Sequence, residues 1–218
     1  RQVDRPPVDL WLAPEVVDSL RVYTSLDDEL AIYDFLGIDK IVWIFPGYGG
    51  RFFDPNDSGE ITMWGVPTRK VKAGLATYQE YINPPLVNYV DPTQLAEYPF
   101  WPDPNQFDYA GAKTLAARAR SWNFATIGPW ISHFEIYCQM RGLENALMDI
   151  LANPDFLDAT IERIDKIQTV MLERMLIELN EDIDIVFISD DMGTQTNMLI
   201  SLESWELHFK SRLKKWCE

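Results

Sequence analysis

The chain has 218 residues, 47% of them hydrophobic and 13% aromatic, enough apolar material for a substantial core and too much for a disordered chain. Its 34 acidic against 19 basic residues leave a formal net charge of −15, which repels phosphate backbones and anionic lipid surfaces, so nucleic acid and membrane are excluded as expected partners. The apolar runs, such as 183–188 with its interrupting Asp184, fall far short of the roughly 20 residues a membrane span takes. The beginning carries no apolar leader core, and Cys138 and Cys217 make no disulfide framework, so a cytoplasmic protein is expected.

In chain order, residues 8–12 read as a first buried strand. Ser25 is a plausible N-cap for a helix reaching about Leu36, with Asp27, Asp28 and Glu29 in the first turn, where the helix dipole favours negative charge, and Gly37 ending it. Residues 40–45 read as a second strand. The stretch from Pro46 to Asp108 is too long for a plain loop, so residues 47–108 are expected to be a structured lid in which 61–66 and 75–81 make a hairpin. Residues 122–127 read as a third strand, followed by a turn at Gly128-Pro129. Asn153-Pro154-Asp155 opens the clearest helix, with Leu157, Ile161, Ile164, Met171, Met175 and Leu179 on one face. It feeds a fourth strand at 183–188. A last helix follows Ser201, and its Lys210, Arg212, Lys214 and Lys215 read as a solvated face rather than a binding patch. Strands alternating with helices predict an α/β fold with a mainly parallel sheet; pattern alone leaves barrel and open sheet undecided.

In parallel α/β folds, chemistry sits at the carboxyl ends of the strands. After the fourth strand come Asp190 and Asp191, then Gln195: an acid or base pair for a hydroxylated or cationic ligand, or a loop cap beside a solvated carboxylate. After the third come His133, Glu135 and Arg141. His133 is either a proton donor or a hydrogen-bonded structural histidine. After the second comes Pro46-Gly47-Tyr48-Gly49-Gly50-Arg51. A dinucleotide fingerprint would need glycine where Phe52 stands, so a hinge with Tyr48 and Arg51 facing the cleft is the functional reading and plain turn geometry the other. The lid is dense in aromatic residues, Trp64 among them, suited either to stacking on a flat ligand or to filling the lid's own core. No Cys-x-x-Cys, His-Glu-x-x-His or Gly-x-Ser-x-Gly occurs, so neither a metal site within the chain nor a serine or cysteine nucleophile is expected.

Arg5-Pro6-Pro7-Val8-Asp9-Leu10-Trp11, Gly128-Pro129, Arg141-Gly142-Leu143-Glu144-Asn145 with Leu147-Met148-Asp149, Asn153-Pro154-Asp155-Phe156, and the run Asp190-Asp191-Met192-Gly193-Thr194-Gln195 together resemble the uroporphyrinogen decarboxylase-like superfamily. The resemblance covers essentially the whole chain and rests on the order of motifs that are each of modest specificity. It implies a (β/α)₈ (TIM) barrel, of which only about the first four βα units can be counted, with a hairpin lid after the second strand. True decarboxylases of the superfamily carry an Arg-rich segment after the first strand, to neutralise the carboxylates of uroporphyrinogen. Here Trp11-Leu12-Ala13-Pro14-Glu15-Val16 stands in its place. The resemblance therefore favours methyl transfer between a small methylated substrate and a corrinoid (cobalamin) held on a partner protein. It implies catalytic roles for Asp190, Asp191, His133 and Glu135, and substrate contacts for Trp11, Tyr48, Arg51, Trp64, Arg141 and Gln195. Any zinc would be held by a His-x-Cys pair and a later Cys in the other half of the barrel, outside this chain. A half-barrel alone is expected to dimerise or be unstable, and to show no turnover. The rival classes are porphyrin decarboxylation and a non-catalytic ligand-binding or interaction fragment; a His-x-Cys motif after Glu218 would discriminate them.

Overall fold

Pro14, whose missing N–H is no loss at the first helical position, opens helix α1 (Pro14–Thr24), and Ser25 closes it in the left-handed conformation, φ 58°. Helix α2 (Glu29–Phe35) is capped by Asp28, whose carboxylate accepts the Leu30 N–H at 2.9 Å. Ser25, predicted as the cap of this helix, thus ends the one before. α1 escaped the sequence reading because it has little apolar face to show: Val17 is buried while Val16, Val22 and Tyr23 lie in solvent. The computed structural model describes residues 5–50, 60–74 and 76–218.

Residues 8–12 are extended but form no strand. Asp39 N–H donates to Val8 O at 2.8 Å, but the Val8 N–H goes to the Asp39 carboxylate (2.9 Å) and the Ile41 N–H to the Asp9 carboxylate (3.2 Å). Side-chain acceptors take the donors that a ladder would need. The predicted second strand appears as β1 (Ile41–Trp43).

The long insert is stitched at its ends, where β2 (Gly47–Tyr48) pairs antiparallel with β6 (Phe107–Asp108). Inside it β4 (Pro67–Ala73) and β5 (Ala76–Tyr81) form a hairpin, with β3 (Glu60–Ile61) on the outer edge of β4. The hairpin's first strand therefore starts at Pro67, not at 61, because the chain turns between Thr62 and Gly65, where the Gly65 N–H donates to Thr62 O at φ 73°. The insert's apolar residues do not make a separate lid core. Trp64, Leu86, Leu95 and Tyr98 are buried in one cluster with Phe134 and Met140 of α4 (Phe134–Arg141) and Phe156 and Leu157 of α6 (Pro154–Leu179).

Helix α3 (Tyr109–Ser121) is capped by Asp108 and ends at Trp122, so the third strand, β7, starts later than predicted and spans Ala125–Ile131. It passes straight through Gly128-Pro129, the expected turn. Gly128 permits this: it sits at φ 141°, and a Cβ there would lie 2.3 Å from Ile44 O. The pairing register slips at this point, between Ile127 and Trp130. Helix α5 (Leu143–Ala152) then leads to α6, whose predicted face of Leu157, Ile161, Ile164, Met171, Met175 and Leu179 is wholly buried. Each such side chain contributes about 1.5–3 kcal/mol of transfer free energy. The fourth strand is β8 (Ile185–Ile188). The single last helix that was expected is two, α7 (Leu202–His208) and α8 (Lys210–Cys217), broken at buried Phe209. Lys210 pairs locally with Glu206 (2.5 Å), as on a solvated face, whereas Arg212 and Lys215 reach across to Asp158 (3.2 Å) and Asp165 (3.6 Å) on α6, so the basic face is partly a packing surface.

Strands β1, β7 and β8 lie side by side in chain order and parallel, with Trp43 opposite Ile127 and Trp130 opposite Phe187. One face of β1 presents Val42 and Ile44 to α2, α3 and the end of α6, where Ala112, Ala116 and Ala119 let α3 approach closely. The other face carries Trp43, stacked on Phe45 at 5.4 Å and met edge-on by Phe187 at 4.9 Å. Among the described residues the architecture is mixed α/β without a closed barrel, and no helix is long and apolar enough to cross a membrane. Gly128→Ala is expected to cost at least about 2 kcal/mol, since strain at this φ is compounded by overlap with the Ile44 backbone. Urea unfolding would measure it, and an unchanged midpoint would contradict the close approach.

Candidate functional site

The carboxyl ends of β7 and β8 are tied by one side chain. Asp190, just beyond β8, accepts the N–H of His133 (3.1 Å) and of Glu135 (3.0 Å), which open α4, and the hydroxyl of Ser132. These are donors that a helix start leaves unpaired, and a carboxylate suits the positive end of the dipole. From behind, α6 holds the same junction: Gln168 accepts the Ser132 N–H (3.1 Å) and donates to Ser132 O (2.6 Å).

This collar sets the direction of Glu135. Its carboxyl is pushed above the ordinary carboxylate range, first by burial and then by the charges of Asp190 and Asp191. Tyr81, at the end of β5, has its hydroxyl pushed up by burial and by the charge of Glu135. One turn along α4, burial followed by the charges of Asp190 and Glu135 pushes the Cys138 thiol up to about 12, so it stays protonated and is no nucleophile. Gln139, four residues after Glu135 and hence on its face of α4, is buried with its Nε2 unpartnered. The arrangement supplies one carboxyl poised to hold a proton, two carboxylates that favour a cationic or proton-accepting ligand, and a phenol within range of the Glu135 charge.

The other residues expected at the site go elsewhere. The His133 ring is fully buried, turned away to Asp165 on α6 (Nε2 to Oδ1, 2.9 Å) and stacked on Trp216 at 3.7 Å. It joins the collar only through its backbone, which is the structural reading of that histidine. Burial raises the Asp165 carboxyl, but the His133 hydrogen bond and charge outweigh this and hold it below the usual range, aided by Lys215 and Arg212. Arg141 is buried and clamped by Asp149 (2.6 and 3.1 Å), and it donates to the carbonyls of Leu86, Val87 and Tyr89; it splints the insert to α4 and α5 and has no reach into a cleft. Trp64 is 3% exposed within the core, edge-on to Trp101. The Tyr48 hydroxyl accepts the Asp103 N–H (3.2 Å) and its ring packs on Phe107, inside the seam that closes the insert. Trp11 stands in solvent, 72% exposed, beside Trp43. Asp191 and Gln195 are exposed in the loop after β8, and Arg51 lies outside the described residues.

Ser132, Gln168 and Cys138 escaped the sequence reading as site residues, while Gln139 figured in it only as following the third strand and Tyr81 only as one of the lid's aromatic residues. The helical spacing from Glu135 could have indicated Cys138. Among the described residues no three His, Cys, Asp or Glu side chains are grouped to hold a metal ion. Compared with family models, with curated proteins and with solved structures, the chain finds no match.

Two outcomes follow. Asp149→Ala leaves the Arg141 guanidinium buried without its carboxylate, and a loss of about 3–5 kcal/mol is expected on urea unfolding. Asp191→Asn removes a charge that raises the Glu135 carboxyl, so its titration, followed by carbon-13 NMR, is expected to move down toward the ordinary range. A carboxyl that does not move would remove Asp191 from the cluster.

Proposed function

We propose that the chain is part of a (β/α)₈ enzyme of the uroporphyrinogen decarboxylase-like type that moves a methyl group between a small methylated substrate and a corrinoid carried by a partner protein. The observation that carries the reading is the Glu135 carboxyl, raised by burial beside Asp190 and Asp191 at the carboxyl ends of two parallel strands. A corrinoid is a broad, flat, partly apolar ring, and the sheet face bearing Trp43, half-exposed Phe45 and Phe187 fits such a surface. Both histidines are engaged with carboxylates, His133 with Asp165 and His208 with Asp158, so the residues that would meet a corrinoid are these aromatic ones. When bound, the corrinoid supplies a cobalt centre able to take up or release the methyl group.

The chain's own residues then handle the proton. As the bond between the methyl carbon and the substrate heteroatom breaks, the protonated Glu135 carboxyl donates its proton to that heteroatom, and the resulting carboxylate is reprotonated from solvent. Asp190 fixes the backbone amide of Glu135, so the acid cannot swing out of register. Asp191 keeps the Glu135 carboxyl protonated at higher pH than an isolated glutamate. The uroporphyrinogen alternative gains no support here, because Arg141 is committed to Asp149 and the strand-end cluster is acidic, which repels a polycarboxylate. A non-catalytic interaction module has one observation in its favour, the half-exposed Ile185 and Val186 on the open edge of β8.

In the natively assembled protein, Glu135→Gln is expected to lower kcat for methyl transfer at least about a hundredfold with little change in KM. Because the acid form is the active one, wild-type activity falls as pH rises through the raised Glu135 pKa, and Asp191→Asn moves that alkaline limb to lower pH. A pH profile unchanged by either variant would remove Glu135 as the acid. Absence of transfer by the wild type from methanol, methylated amines, thioethers and aryl methyl ethers would overturn the methyl-transfer reading itself.

A further inference from the structure

Away from the strand-end cluster, a cavity of about 620 Å³ opens between residues 8–12, α1, α2, β1 and α3. That volume falls within the roughly 300–1,000 Å³ of small-molecule sites. Three aromatic rings, Trp11, Trp43 and Tyr33, form part of its wall. Trp11 is 72% exposed at the mouth, a large apolar surface left in water beside a concave site.

The charges on the wall decide the ligand. Three cations line the cavity, and each is already matched: Lys40 by Asp9 at 2.9 Å, Arg21 by Asp18 at 2.7 Å, and Arg118 by Asp28 at 2.5 Å. Lys40 also donates to Leu10 O, and Arg21 to Asp27 O. Of the lining carboxylates Asp28 is taken by Arg118 and the α2 cap, but Asp27 and Glu29 pair with no cation among the described residues. The wall therefore has negative charge left over and no free positive charge. Its aromatic lining already accepts one cation, the Lys40 ammonium 5.0 Å from the Tyr33 ring centroid, and Trp43 is already packed against Trp11, Phe45 and Phe187, which leaves the exposed Trp11 ring for another.

We infer that this cavity binds a small organic cation with an aromatic or branched apolar body, of the aryl- or alkylammonium class, its charge facing Asp27 and Glu29 and its body against Trp11. The site does not depend on the methyl-transfer reading.

The test is a tryptophan-fluorescence titration of the full chain with phenyltrimethylammonium, its neutral counterpart tert-butylbenzene and the anion benzoate. The cation is expected to bind saturably, the other two at least about tenfold more weakly, a margin of about 1.4 kcal/mol. The double variant Asp27→Asn, Glu29→Gln, in which both changed side chains are exposed and neither pairs with a cation, is expected to weaken the cation about tenfold; circular dichroism would verify its fold. Asp34→Asn, an exposed carboxylate outside the cavity, leaves binding unchanged. Trp11→Ala, read by calorimetry because it removes a reporter, also weakens it. Equal binding of tert-butylbenzene, equal or tighter binding of benzoate, no saturation with the cation, or equal losses in the Asp34→Asn control and the double variant would each overturn the site.

Discussion

One carboxylate holds the carboxyl ends of β7 and β8 together. Asp190 gathers two backbone amides and a hydroxyl from the start of α4, and so fixes the end of β8 to the end of β7 across a boundary where the strands themselves no longer pair. A cap of this kind contributes about 1 kcal/mol, and a charged acceptor more. Its geometric effect exceeds its energy. With α4 started there and nowhere else, Glu135 is obliged to sit beside two like charges, and its proton affinity follows from that placement. The buried partners on α6, Gln168 beneath Ser132 and Asp165 beneath His133, keep the junction from sliding.

The net charge of −15 is distributed in a corresponding way. Buried or half-buried cations are engaged in construction: Arg141 joins α4 to α5 and the insert, Lys40 joins residues 8–12 to β1, and Arg120 joins α3 to Asp184 before β8. Among the described residues, carboxylates without a cation partner include Glu135, Asp190 and Asp191 at the strand ends and Asp27 and Glu29 by α2, with others spread over the surface. A protein built this way offers anionic sites and withholds cationic ones, which is why polycarboxylate and phosphate ligands suit it poorly.

Much of the layout could be read from the residues. The face of α6, the order of three parallel strands and the insert between them follow from apolar spacing and from Pro, Gly and Asn at element ends. The misses have local causes. Asp9 and Asp39 intercept the amides of residues 8–12 and 41, turning an apparent strand into extended chain. Gly128 looks like a turn residue, but its missing side chain serves a close strand crossing instead. Asp190 and Glu135, both expected after strand ends, are brought together by the Asp190 carboxylate. For His133 the pattern left a proton donor and a structural histidine both open, and its partner Asp165, like Asp149 for Arg141, lies on a helix whose packing no local pattern encodes.

The sheet is also unequal in its stability. Among the described residues β7 is flanked on both sides, whereas β8 pairs with β7 alone and leaves Ile185 and Val186 partly in water. Backbone amides on such a strand open to solvent deuterium by local fraying long before the whole domain unfolds. Asp190 follows the end of this strand, so a fraying event that reached it would withdraw the carboxylate from the start of α4. A surface that covered the edge of β8 would hold that carboxylate in place from a distance.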